Sequence, residues 1–359
     1  MNMKKIILAG LMMGAMFVSC ENADKEFDDF EYQTISFAQQ TPIRTIVLGD
    51  DVFDTTMDNE HRFQIISTLA GVWKNKHTRT VNYKVDNTLC EGASFDNGNP
   101  ILPMPANYYT LSTDKMQIPA GEIFGRVDVQ LTDAFFNDPK ATALNYVIPV
   151  VLTSASDSIL QGKPKDGISN PNRLNGGDWN VQPKDYTLMA VKYKNKFAGA
   201  WLSYGTDEYT VNGMKNTVNR QFEYIEKADV RTMSTVSLTQ SRYPISTTVD
   251  AKDATGGAIK LTLTVDLLIS VNDNGDCTIT TDTPGAVASG SGTWTYQGAK
   301  KAWGDKDRDE FVLNYNITFP QYVLDATTGE TGTVQLSSKD TLVAQSRQSK
   351  FETFSVVLE

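Results

Sequence analysis

Aromatic residues close to turn-forming ones offer the most usable chemistry in this chain. Trp179 sits in a stretch rich in glycine and proline, Trp201 and Tyr204 follow Gly199, and Trp303 precedes Gly304. Indole and phenol rings at loops present flat apolar faces, and neighbouring Asn, Asp and Gln pair with hydroxyls. These four are therefore the candidate platforms for a glycan ligand. Burial competes with that role, because tryptophans are mostly inside proteins. Trp73 and Trp294, in strand-like context, are assigned to the core.

Groups able to break bonds are poorly arranged. A glycosidase needs two carboxylates about 5–5.5 Å apart to retain configuration, or about 6.5–9.5 Å to invert it. The densest acidic run is Asp305, Asp307, Asp309 and Glu310. Aspartates at every second position also make Asp305, Asp307 and Asp309 a weak calcium candidate. The glycine and the distal glutamate of an EF-hand loop are missing, so a solvated turn is the expectation. His61 and His77 have no metal-binding spacing, and no nucleophile elbow accompanies them. The sequence thus leads us to expect no catalytic residue, no cofactor and no enzyme.

Cys20 is a reactive group of another kind. Lys4 and Lys5 precede an apolar run over 6–18, which ends in Ser19 and Cys20. That is the pattern of a secretory leader. A retained helix needs about 20 apolar residues to cross a hydrocarbon core of about 30 Å, so the run is too short to span. Phe17-Val18-Ser19-Cys20 fits a lipobox, with Phe17 where leucine is commoner. Residues 1–19 are expected to be a removed lipoprotein signal peptide, and Cys20 the lipidated first residue. Acyl chains contribute about 0.8 kcal/mol per buried CH₂, so several together hold a protein on a membrane. Residues 20–31 are acidic and polar with no buried-face periodicity, and read as a tether.

The net charge of −10 over 359 residues argues against nucleic acid and anionic lipid surfaces, and leaves a neutral ligand as the better match. Cys90 and Cys277 are the only other cysteines, so no disulfide framework is expected. Each reads as a buried thiol.

The elements that must position these groups are strands. Short β-branched and aromatic runs over 45–48, 62–69, 79–85, 108–111, 123–131 and 146–152 alternate with Gly, Pro, Asn and Asp. This predicts an Ig-like β-sandwich over 32–155. The run 146–152 is continuously apolar and should lie deep, but Pro149 lacks a backbone donor, which predicts an edge or bulged strand. Residues 156–184 carry crowded Gly and Pro and read as a linker. Longer alternating strands over 260–270, 293–296, 311–319 and 351–358 follow. Asn274-Gly275 predicts a two-residue hairpin turn, and 327–330 another turn. An antiparallel lipocalin-like barrel over 185–359 is the expectation, giving an all-β protein of two units.

Four long motifs carry a family resemblance. They are AGVWKNKHTRTVNYKVDNTLC over 70–90, PMPANYYTLS over 103–112, IPAGEIFGRVDVQLTDAFF over 118–136 and YVIPVVLTSASDSILQGKP over 146–164. PKDYTLMAVKYKNKF over 183–197 and AWGDKDRDEFVLNY over 302–315 extend it. The chain resembles Bacteroidetes surface lipoproteins that have an uncharacterised N-terminal sandwich and a barrel-like C-terminal domain. The resemblance implies a surface glycan-binding protein of a polysaccharide utilisation locus, acting beside an outer-membrane glycan transporter. The acidic run after Cys20 resembles the signal that sends such lipoproteins to the outer face of the outer membrane. Relatives of the first domain occur with endoglycosidases acting on N-glycans and mannose-rich glycans, which points to glycoprotein glycans. The Asp-x-x-Asp-x-Asp-x-Glu spacing of those enzymes is absent from this sequence. A structural or adhesive surface lipoprotein that binds another protein is the alternative.

Overall fold

Apolar residues recurring at every second position build strands throughout the structure, a computed structural model that describes residues 28–358. The leader, Cys20 and most of the acidic tether lie outside the described residues. The first unit holds β1 (Thr34–Phe37), β2 (Pro42–Val47), β3 (Arg62–Ala70), β4 (Arg79–Val85), β5 (Ala93–Phe95), β6 (Leu102–Pro103) and β7 (Tyr109–Leu111). It continues with β8 (Lys115–Ile118), β9 (Phe124–Leu131), β10 (Tyr146–Ala155), β11 (Ser158–Ile159), β12 (Lys163–Pro164), β13 (Trp179–Val181) and β14 (Tyr186–Lys194).

Most of these belong to one sheet, in the order β11-β1-β3-β9-β8-β4-β10-β14-β2, which curls over its own core. Ile35, Phe63, Ile65, Val127, Val129, Ile148, Val150, Val191 and Tyr193 meet there. A second core forms on the other face of β10 and β14, where Val147, Val151, Leu188 and Ala190 pack on Cys90, Phe95 and Phe354. Burial on both faces accounts for the unbroken apolar run of β10.

Pro149 does not mark an edge. β10 is a central strand, paired with β14 from Tyr146 to Val151. Its other side meets β6 at Tyr146 and Val147 and β4 from Val150 onward. Pro149 falls between those two partners, where its missing donor is not called on, and its carbonyl accepts from the Asp86 amide at 2.9 Å.

The second unit comprises β15 (Gly199–Val211), β16 (Met214–Arg220), β17 (Asp229–Thr235), β18 (Gln240–Lys252), β19 (Ala258–Val271), β20 (Asp276–Thr281), β21 (Val287–Ala299), β22 (Arg308–Asp325) and β23 (Glu330–Ser346). They follow one another antiparallel, and β23 pairs back onto β15, which closes the barrel. β16 and β17 share the other edge of β15, and β17 meets β18 only at Ser234 and Thr235. Gly205 pairs with Asp340 across the β15–β23 ladder, and a Cβ there would collide with the Lys339 carbonyl oxygen. The β19–β20 hairpin forms as expected, but its turn spans 272–275 and Gly275 alone has positive φ, at 87°. The type I′ turn that an Asn-Gly pair favours needs two left-handed residues, and only one is present.

The unit boundaries differ from those read in the sequence. β14, assigned to the barrel, completes the first sheet. The chain end also returns: β24 (Glu352–Thr353) pairs with β2 and β25 (Val356–Leu358) with β5. These pairings are long-range and leave no local sequence pattern. The 156–184 segment is an ordered strap that carries β11 to β13, tied down by the Arg173–Asp185 ion pair at 2.8 Å. Asn195, fully buried at the crossing into the barrel, donates to the carbonyls of Ser237 and Gln240 at 2.7 and 2.9 Å.

Candidate functional site

Side chains fill the barrel. Trp201, Leu267, Ile269, Phe311 and Leu313 are buried together inside it. A polar layer crosses them: Arg220 pairs with both carboxylate oxygens of Asp207, at 2.7 and 3.0 Å, and reaches Asp340 at 3.2 Å. Asp340 also accepts from Ser203 at 2.9 Å and Tyr243 at 2.8 Å. Opposite charges and hydroxyls satisfy one another here, which is how charged groups persist in a core.

Trp201 belongs to that interior and is not a ligand platform. It is fully buried, donates from Nε1 to the Phe197 carbonyl at 2.9 Å and stacks edge-on against Phe311 at 4.9 Å. Strand parity decides this: 201, 203 and 207 on β15 point inward, and 202 and 204 point outward.

Tyr204, on the outward parity, lies on the same outer-wall cluster as Trp303. That cluster is built around Leu202, Ala228 and Val343, with Ile225, Ala299 and Ala302 at its margin. A tight turn presents Trp303: Gly304 and Asp305 have φ of 67° and 54°, and Arg308 Nε donates to the Trp303 carbonyl at 2.9 Å. Beside them a cleft of about 160 Å³ is lined by Tyr204, Gln221, Phe222, Ile225 and Ala228. Phe222 and Tyr224 are 38% and 57% exposed. Burial, then the neighbouring Glu310 charge, raises the Tyr204 phenol's pKa, so it stays a neutral donor. The wall thus combines flat apolar faces with an amide, a phenol and a carboxylate.

The remaining candidates lie elsewhere. Trp179 is 8% exposed and donates from Nε1 to the Asn172 carbonyl at 2.8 Å, which makes it an anchor of the strap instead of a platform. Trp294 packs in the barrel against Phe197 at 5.3 Å, with the Lys196 ammonium 4.3 Å over its ring. Trp73, assigned to the core, is instead 59% exposed. It lies on the loop between β3 and β4, beside the last tether residues, and its amide donates to Asp29 at 2.6 Å.

The calcium candidate is likewise corrected. Asp309 is buried against Arg347 at 3.1 Å, while Asp307 accepts from Lys300 Nζ and the Lys301 amide, each at 3.0 Å. Each carboxylate is thus taken by a basic or amide partner of its own. Among the described residues no group of three or more acidic, Cys or His side chains could hold a metal. Cys90 and Cys277 are buried free thiols in different units.

Comparison with known proteins follows the same division of the chain. Residues 196–348 match the family model of a domain of unknown function, DUF5627, and residues 30–159 match one described as an N-terminal domain. A solved structure of a Bacteroides ovatus protein of unknown function is 37% identical, with a TM-score of 0.79 over 92% of this chain and 100% of that one. This chain belongs to that protein's family. A B. ovatus multidomain protein including DUF1735 is 12% identical, with a TM-score of 0.40 over 89% of this chain and 97% of its own. An auxiliary nutrient binding protein from Bacteroides thetaiotaomicron is 13% identical, with a TM-score of 0.38 over 84% and 90%. No curated protein matches.

The whole outer-wall patch falls within the DUF5627 match. Reading the sequence missed three of its residues: Phe222, Tyr224 and Ile225. The run Gln221-Phe222-Glu223-Tyr224-Ile225 sets apolar rings among polar residues in a segment with no strand continuity on either side. That pattern was the available signal.

Proposed function

We propose that this protein is a non-catalytic, cell-surface glycan-binding lipoprotein that holds its ligand on the outer barrel wall. One observation carries the reading: Tyr204 and Trp303, 99 positions apart in the sequence, pack on one outer-wall cluster, and Tyr204 and the part-exposed Phe222 line the cleft beside it. Sugar rings stack their C–H faces on such surfaces, while Gln221, Glu310 and the Tyr204 phenol are placed for hydroxyls. The buried carboxylates Asp207, Asp340 and Asp309 are each committed to an arginine, which suits binding better than acid–base chemistry.

Lipidation at Cys20, an outer-membrane location facing the exterior and a place beside a glycan transporter form part of the proposal and rest on the leader pattern and the resemblance. So does the preference for N-glycans or mannose-rich glycans. Anchoring on a surface adds avidity, so weak single contacts suffice.

Affinity electrophoresis of the leaderless protein through mannan, N-glycoprotein and plant polysaccharide gels tests it. Retardation by one of them, reduced in Trp303→Ala and in Tyr204→Ala, is the expected result. Migration unaltered by every polymer would instead assign the patch to a protein partner.

A further inference from the structure

A second cleft system lies in the first unit, along the seam where the two edges of its curled sheet face each other. β1 covers the edge of β3 only from Ser67 to Ala70, so 62–66 pair with β9 alone among the described strands. Opposite stand β2 and β14. One cleft there, of about 280 Å³, is lined by Gln39, Gln64, Ile66, Phe124 and Thr187. Another, of about 480 Å³, runs under the returning chain end between Phe53 and Phe351. Pro42 and Met189 line both, so the two clefts adjoin. Ligand clefts commonly measure about 300–1,000 Å³.

Three observations point to an occupant. Thr187 is 1% exposed, lines the smaller cleft, and its hydroxyl has no hydrogen-bond partner. An unpaired buried hydroxyl destabilises a fold unless something else uses it. Phe124, Phe53 and Phe351 are 39%, 64% and 71% exposed along the rim. One such ring is ordinary; three along adjoining clefts mark a contact surface. The larger cleft carries three basic and four acidic side chains in near balance, with Arg44 paired to Asp58 and Lys350 to Glu352; no charged side chain lines the smaller cleft, and its polar groups are the amides and hydroxyls of Gln39, Gln64, Thr68 and Thr187. That set favours a neutral ligand with hydroxyls on its edges and apolar faces.

We propose that this seam is a second carbohydrate site. It takes an unbranched neutral oligosaccharide along the line from Phe124 past Met189 to Phe53 and Phe351, with the Thr187 hydroxyl bonding a sugar hydroxyl at the inner end. The ligand class rests on the reading given for the barrel wall, but no residue is shared with it.

The test uses the leaderless full chain, methyl-labelled at methionine, with mannopentaose, xylopentaose, cellopentaose and maltopentaose as probes. The Met189 methyl signal, assigned with Met189→Leu, is expected to shift with at least one sugar. The shift should persist in a Trp303→Ala background, where only the seam remains to bind. Thr187→Val is expected to weaken that binding about tenfold while raising Tm, because the unpaired hydroxyl is gone; Thr187→Ser should keep the affinity. A Met189 signal unmoved by every sugar overturns the proposal and leaves the wall reading standing. A fall in Tm for Thr187→Val, or a shift produced only by an extended peptide pairing with the free edge of β3, overturns it as well.

Discussion

Arg347 Nη2 lies 3.1 Å from Asp309 Oδ2, with both side chains less than one-tenth exposed. The same guanidinium donates from Nε to the Asp50 carbonyl at 3.2 Å. The guanidinium of this ion pair, whose two partners both belong to the barrel, thereby ties the barrel to the first unit, and the Tyr296 hydroxyl adds a bond to Asp50 Oδ2 at 2.6 Å. Burial pushes the Arg347 pKa down and the neighbouring Asp309 charge opposes that.

Arg347→Met should be strongly destabilising, since it leaves Asp309 buried and unpaired. Breaking a buried pair from one side costs about 3–5 kcal/mol. Urea unfolding measures this, and Arg347→Met combined with Asp309→Leu should recover part of the loss. Equal loss in the single and double variants would contradict the pairing argument.

The barrel's polar layer predicts a graded response at Asp340. Asp340→Ala strips acceptors from Arg220, Ser203, Tyr243 and Tyr315, and should lower stability by about 3–5 kcal/mol. Asp340→Asn keeps the shape and an acceptor, so calorimetry should place it between Ala and the native residue.

Alkali should weaken the fold through groups that keep their protons longer when folded. Burial, then the charges nearby, raises Cys90 to about 11 and Cys277 to about 12, and burial with Asp340 raises Tyr243. In the unfolded chain these thiols titrate near 9.0 and the phenol near 10.0. Their contribution is complete below pH 9.0 and is lost as pH rises towards about 12. Urea midpoints should hold up to pH 9.0 and fall above it, and a thiol reagent should label neither cysteine before unfolding. A flat profile would argue against protonated, buried groups.

Phe222→Ala and Tyr224→Ala should separate binding from folding. Both rings are substantially exposed, and surface changes usually stay within about 0.5 kcal/mol of the parent. Loss of one stacking ring is expected to reduce glycan affinity about tenfold, or about 1.4 kcal/mol. Calorimetric titration beside thermal unfolding reads both quantities.

Gly205→Ala tests the barrel's closure. Its Cβ has nowhere to go beside Lys339, and overpacking of this kind costs about 1–3 kcal/mol. Unchanged thermal stability would mean that the ladder between β15 and β23 is looser than its register indicates.

Much of this architecture was legible in the sequence because it is local. Alternation in 126–131 and 311–319 gave β9 and β22, and the glycine at 275 marked its hairpin. What escaped depends on partners far along the chain. The apolar run around Pro149 reads alike for an edge and for a centre, and only β4, β6 and β14 decide between them. Trp201 and Tyr204 stand three residues apart on one strand, so period-two alternation forbids both from facing out together. Treating them as a pair overlooked that. Trp73 escaped for the opposite reason: strand-like neighbours say nothing of where a loop leaves the sheet.

The path of the backbone has a mechanical outcome. The polypeptide leaves the first sheet after β14, completes the barrel, and comes back to lay β24 and β25 against that sheet. A bead on one string swivels, but one suspended from two cords beside each other resists turning. Tension applied to either module is handed to its neighbour through both cords at once, so the two are kept at a set spacing, like the jaws of a caliper.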